Sequence, residues 1–85
     1  MENDIFARVT NILVEVIGVD RELVREEANV RTELELDSLS MLQLLTSLED
    51  EFEETIDDSH IYNLRTVGDI AQYIQRIKTE SVDRV

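Results

Sequence analysis

Residues 37–53 read DSLSMLQLLTSLEDEFE, and the spacing of their apolar residues decides the fold. Leu44, Leu48 and Phe52 recur at four-residue steps, and Leu42 and Leu45 widen the stripe, which is the pattern of an amphipathic helix with one buried face. The helix is predicted from Ser38 to about Glu53. Asp37 is a preferred residue just ahead of a helix: its carboxylate can accept amides that have no partner in the first turn, and it favours the positive end of the helix dipole.

Working outward, Ile5, Val9, Ile12, Leu13 and Val16 form a second stripe, predicting a first helix over about Asn3 to Ile17 with Asn3 or Asp4 at its start. Gly18 offers a left-handed stop. Periodicity is lost from Val19 to Asp37, a long connection for a small domain. That segment is expected to pack across the helices through Val30 and Leu34, with a short turn near Arg21 to Val24. Downstream, "ETIDDSHIYNLRT" reads as a break and a short helix over Ser59 to Leu64, using Ile61 and Leu64. Thr66-Val67-Gly68-Asp69 opens a last helix like a capping box, with Asp in place of the usual Glu. Its apolar face is Val67, Ile70, Ala71, Ile74 and Ile77. The fold expected is all-α: a small bundle of three longer helices and one short one, with a long loop between the first and second. The domain is expected over residues 1–78, with a frayed tail at 79–85.

Composition narrows function by exclusion. The chain has 85 residues, no cysteine, no proline and two glycines. Disulfides and thiolate metal sites are therefore unavailable. One histidine, His60, rules out His-pair zinc and disfavours a Ser-His-Asp relay. Twenty acids against eight bases give a charge of −12, a field that repels phosphate backbones and anionic lipid and attracts basic protein surfaces. The acids are not spread evenly. From Thr32 to Leu64 there are ten acidic residues and no lysine or arginine. Acids that only keep a small helical domain in solution would explain any one of these residues, but not that partition. No apolar run reaches membrane-spanning length and the N-terminus has no signal pattern, so a cytoplasmic location is expected.

Ser38 has three readings. A catalytic nucleophile needs a base and an oxyanion hole, and no G-x-S-x-G elbow or nearby histidine supplies them. A plain helix-start residue needs nothing further. The third reading is covalent attachment of a phosphate-linked group, which the first turn tolerates and partly stabilises, by roughly 0.3–1 kcal/mol from the dipole. A calcium site has no D-x-D-x-D-G loop to rest on.

"LDSLSMLQLLTSLEDEF" followed by "TVGDIAQYI" resembles the acyl carrier protein family, over the stretch from Ile5 to Ile74. The Gly18-Val19 stop, the long linker, "EDEF" at the end of the leucine helix and the Thr-Val start of the last helix belong to the same resemblance. It implies a non-catalytic carrier whose Ser38 accepts 4′-phosphopantetheine from coenzyme A through a phosphopantetheinyl transferase, with acyl groups held as thioesters on the arm. It implies as partners an acyltransferase or acyl/aminoacyl ligase, a ketosynthase and other pathway enzymes with basic docking surfaces. Carried onto this chain, the docking face would include Asp37, Leu39, Met41, Glu49 and Asp50. Leu39 and Met41 have an equally simple reading as core, and Glu49 and Asp50 as solvated face. No nucleic acid or membrane partner is expected, and the protein is expected to act as a monomer.

The resemblance is uneven. Carriers of primary fatty-acid synthesis typically show "GADSL" and acids at the positions of Ser40 and Gln43, whereas this chain has Glu35-Leu36 before Asp37 and two neutral residues. Those departures look more like carriers of polyketide or other specialised pathways. Primary fatty-acid and aminoacyl carriers are the alternatives, and an unmodified acidic adaptor is the alternative of a different class. Leu44, Leu48, Phe52, Ile61, Ala71 and Ile74 could line an acyl cavity or simply fill a core. Tyr62 and Tyr73 are expected at the core boundary with wet hydroxyls, and His60 is expected to be exposed.

Overall fold

Leu44 and Leu48 of the central helix are fully buried in a computed structural model that describes the backbone of residues 2–83 and the side chains of residues 5–79. Four helices surround them: α1 (Glu2–Ile12), α2 (Ser38–Phe52), α3 (Asp58–Asn63) and α4 (Val67–Asp83). No strand is present among the described residues. The inner face of α2 is Met41, Leu44, Leu45, Leu48 and Phe52. Val9, Ile12 and Leu13 come to it from the first helix, and Val67, Ile70 and Ile74 from the last. Full burial of a side chain of this kind contributes about 1.5–3 kcal/mol relative to exposure, so this one cluster holds the bundle together.

The first helix does not continue as predicted. Leu13–Ile17 winds as a π-helical turn, and its end is closed by the amides of Gly18 and Val19, both donated to the Leu13 carbonyl. Gly18 sits at φ 94°, where a side chain would be strained. A π turn holds more residues than an α turn, so the three-and-four spacing of the stripe lapses after Leu13. Val16, expected in the core, is exposed for that reason.

The long connection is structured by what it packs against. A 3₁₀ turn at Arg21–Leu23 starts with the Asp20 carboxylate accepting the Glu22 amide. Ala28, Val30, Leu34 and Leu36 are buried, as anticipated for Val30 and Leu34. The connection is also strapped to the start of α4: Val30 N–H donates to the Arg65 carbonyl at 2.9 Å, Val67 N–H to Ala28 at 3.1 Å and Gly68 N–H to Glu26 at 2.8 Å. This strap leaves no room at Gly68, where a Cβ would come 2.9 Å from the Glu26 carbonyl oxygen.

Caps set the remaining boundaries. Asp57 accepts the Ser59 amide and starts α3 one residue earlier than expected. Thr66 and Asp69 form the predicted reciprocal box, Asp69 N–H to Thr66 Oγ1 at 3.0 Å and Thr66 N–H to Asp69 Oδ2 at 3.2 Å. The shorter Asp side chain suffices because both partners lie within one turn. α4 continues past Lys78 to Asp83, so the helix enters the stretch expected to fray; residues 84 and 85 of that tail lie outside the described residues.

Candidate functional site at the head of α2

Two buried anchors hold the start of α2. Leu36 is buried just before it and donates its amide to the Val30 carbonyl at 2.9 Å; Met41 is buried one turn in. Between them the chain is exposed at Asp37, Ser38 and Leu39. Asp37 has extended backbone (φ −92°, ψ −175°), and its Oδ1 accepts the Ser40 amide at 2.8 Å while its carbonyl accepts the Met41 amide at 2.9 Å. The amide and then the hydroxyl of Ser40 hold the Asp37 carboxyl below its ordinary 3.8. Ser38 is thus the exposed first residue of α2, in a turn held by the Asp37 cap.

His60 is exposed, as expected, but it is engaged: Nδ1 shares a hydrogen bond of 3.0 Å with the Tyr73 hydroxyl, and the two rings meet edge-on. Among the described residues there is no group of three His, Cys, Asp or Glu side chains placed to hold a metal ion.

A phosphate-linked arm fits here. The Ser38 and Leu39 amides belong to a first turn whose donors have no helical partner, the Asp37 oxygen is turned to Ser40, and the Tyr62 hydroxyl reaches the Ser38 carbonyl at 3.4 Å.

The expected docking residues separate. Asp37, Leu39 and Asp50 are exposed, Leu39 by 75%. Met41 is a correction: it is fully buried, because it lies on the same side of α2 as Leu44, Leu45 and Leu48. Glu49 is half-buried, and its carboxylate accepts the Ile56 amide at 2.8 Å, which fixes the loop after α2. Leu42, assigned to the core stripe, is exposed, and it shares a shallow outer groove with Leu39, Gln43 and Thr46. Residues 39, 42, 43, 46 and 50 are thus exposed along one side of α2, and 41, 44, 45, 48 and 52 are buried along the other. Leu44, Leu48, Phe52, Ile61 and Ile74 are core, while half-buried Ala71 lies on a separate open groove with Phe6 and Gln75.

An exposed serine thus stands at the head of a capped helix on a small helical bundle. Residues 7–74 match the family described as phosphopantetheine attachment site. The chain is 40% identical over 73 residues to an acyl carrier protein of Thermotoga maritima, covering 86% of this chain and 90% of that one. It is 34% identical over 80 residues to a meromycolate extension acyl carrier protein of Mycobacterium leprae, covering 94% of this chain and 70% of that one. The chain belongs to the acyl carrier protein family, whose prosthetic group is 4′-phosphopantetheine.

Proposed function

We propose that Ser38 Oγ is the attachment point of the 4′-phosphopantetheine arm and that the protein presents acyl groups to the enzymes of a specialised, polyketide-type pathway. The observation that carries the first part is the exposed Ser38 between buried Leu36 and Met41 at the start of α2. In the loading step Ser38 Oγ attacks the phosphorus of coenzyme A that bears the pantetheine. The bond from that phosphorus to the oxygen bridging it to the nucleotide breaks, adenosine 3′,5′-bisphosphate leaves, and the serine proton passes to a base of the phosphopantetheinyl transferase. When attached, the arm supplies a terminal thiol that holds acyl groups as thioesters, at a high local concentration for a docked partner.

The docking face on this reading is Asp37, Leu39, Leu42, Gln43, Thr46 and Asp50. Its middle is apolar and neutral, and its acids lie at the ends. That neutral middle favours a specialised partner set over a primary fatty-acid synthase. The similarity to a meromycolate extension acyl carrier protein favours a second reading, as a carrier in acyl-chain extension. A cytoplasmic location accords with a chain in which no described helix is long and apolar enough to cross a membrane.

Intact mass spectrometry after incubation with coenzyme A and a broad-specificity transferase tests the attachment. One phosphopantetheine should add to the wild type and none to Ser38→Ala; an unmodified wild type, under conditions that load a control carrier, rejects it. For the pathway, the paired substitution Ser40→Asp, Gln43→Glu should raise the rate at which a fatty-acid-type malonyltransferase loads the arm. An unchanged rate removes the neutral middle as a selector.

A further inference from the structure

Tyr62 stands on α3 with 40% of its surface exposed, next to Ile61, which is fully buried. Its ring is partly covered and lies outside the buried cluster. Its hydroxyl crosses to α2 and donates to the carbonyl oxygen of Ser38 at 3.4 Å. That is long for an O–H···O bond, for which about 2.5–3.0 Å is usual. The acceptor also lies within α2, where a carbonyl ordinarily receives the amide four residues on. The phenol is thus a donor held beside Ser38 by a slack bond to a shared acceptor.

No lysine or arginine lies between Arg31 and Arg65, so neither α2 nor α3 brings one to an anion at Ser38. Tyr62 is the side-chain donor from α3 that the structure places in contact with that residue. A phosphodiester on Ser38 Oγ would put anionic oxygens on the same residue whose carbonyl the phenol already touches. Hydrogen bonds to such oxygens are shorter and roughly twice as strong as neutral ones.

Resting on the reading of Ser38 as the attachment point, we propose that Tyr62 is a positioning residue for the arm: on loading, its hydroxyl transfers from the Ser38 carbonyl to a non-bridging phosphodiester oxygen. The exchange ties α3 to the base of the arm. Because the new bond exists only in the loaded protein, it adds stability to that form alone, and by linkage it makes the seating of α3 depend on the state of Ser38.

The test compares Tyr62→Phe with wild type, each before and after loading by coenzyme A and a transferase, with loading verified by intact mass. The rise in melting midpoint on loading should be smaller in Tyr62→Phe by about 4 °C or more, which corresponds to about 1 kcal/mol in a domain of this size. The ³¹P resonance of the phosphodiester should also differ between the two loaded proteins. A hydroxyl with only a structural role would lower both midpoints equally and leave the increment and the resonance unchanged, and that result overturns the proposal while leaving Ser38 as the site. Absence of the added mass from wild type is a separate failure, of the attachment reading itself.

Discussion

The guanidinium of Arg8 lies 4.4 Å from the centroid of the Phe52 ring, and from there it closes the end of α2. Its Nε donates to the Glu51 carboxylate at 2.7 Å and its Nη2 to the Glu51 carbonyl at 3.0 Å. From the other side, Lys78 Nζ reaches the Phe52 carbonyl at 3.4 Å. Two cations, one from α1 and one from α4, thus meet carbonyls that have no helical partner at the negative end of the acidic helix. Lysine cannot stack and fork at once. Arg8→Lys should therefore lower unfolding free energy by about 1 kcal/mol, read from the urea midpoint; an unchanged midpoint would show that charge alone suffices.

The Asp37 cap makes stability depend on pH in a defined direction. Its carboxyl is held below 3.8 in the folded protein, chiefly by the Ser40 amide, so its contribution is present above that value and is lost as pH falls through the lower folded value. Asn can cap but cannot ionise. Wild type should melt above Asp37→Asn at pH 7, and the gap should close on titration below about pH 4. Asp57, held down by the Ser59 amide and hydroxyl and then by the His60 charge, should give the same pattern in Asp57→Asn. Parallel curves across that range would contradict the cap assignment.

Glu53 ends α2 in the left-handed region at φ 55°. A side chain there costs roughly 1–2 kcal/mol, against the smaller entropic penalty of glycine. Glu53→Gly should stabilise the protein by about 0.5–1 kcal/mol in chemical denaturation. Loss of stability would mean that the Glu53 side chain makes a contact worth more than the strain.

Thr10 is buried, and its hydroxyl has no hydrogen-bond partner among the described residues. Thr10→Val keeps the shape and removes a polar group that lost its water on folding. Calorimetry should record a higher melting temperature, corresponding to about 1 kcal/mol; a fall would point to an ordered water at the hydroxyl.

Gly68→Ala should act in the opposite sense. The added Cβ meets a backbone oxygen of Glu26 and not a flexible side chain, so the strap between the long connection and α4 must open. A loss of about 1–3 kcal/mol is expected. Faster hydrogen exchange at the Val67 and Gly68 amides would locate it, and unchanged exchange there would refute the strap as the cause.

The helices were legible in the sequence because periodicity and caps are local. Asp37, the Thr66–Asp69 box and the stripes of α2 and α4 each depend on residues within a turn or two; the caps are where the spacing put them, and the stripes hold except at Leu42, which is exposed, and Ala71, which is half-buried. The order of those signals also sufficed for the family, and with it the prosthetic group. Other features were decided by neighbours distant along the chain. The burial of Met41 and the exposure of Leu42 depend on which side of α2 meets the rest of the core, and a stripe of leucines wider than one face does not say where its margin falls. Glu49 turned inward because the Ile56 amide after the helix needed an acceptor, and Tyr62 came to Ser38 because α3 was seated by Ile61. Val16 was lost from the core by a π turn that α-helical spacing cannot register. Sequence fixes which faces can be buried; only tertiary packing decides which side chains at their margins are left to meet a partner.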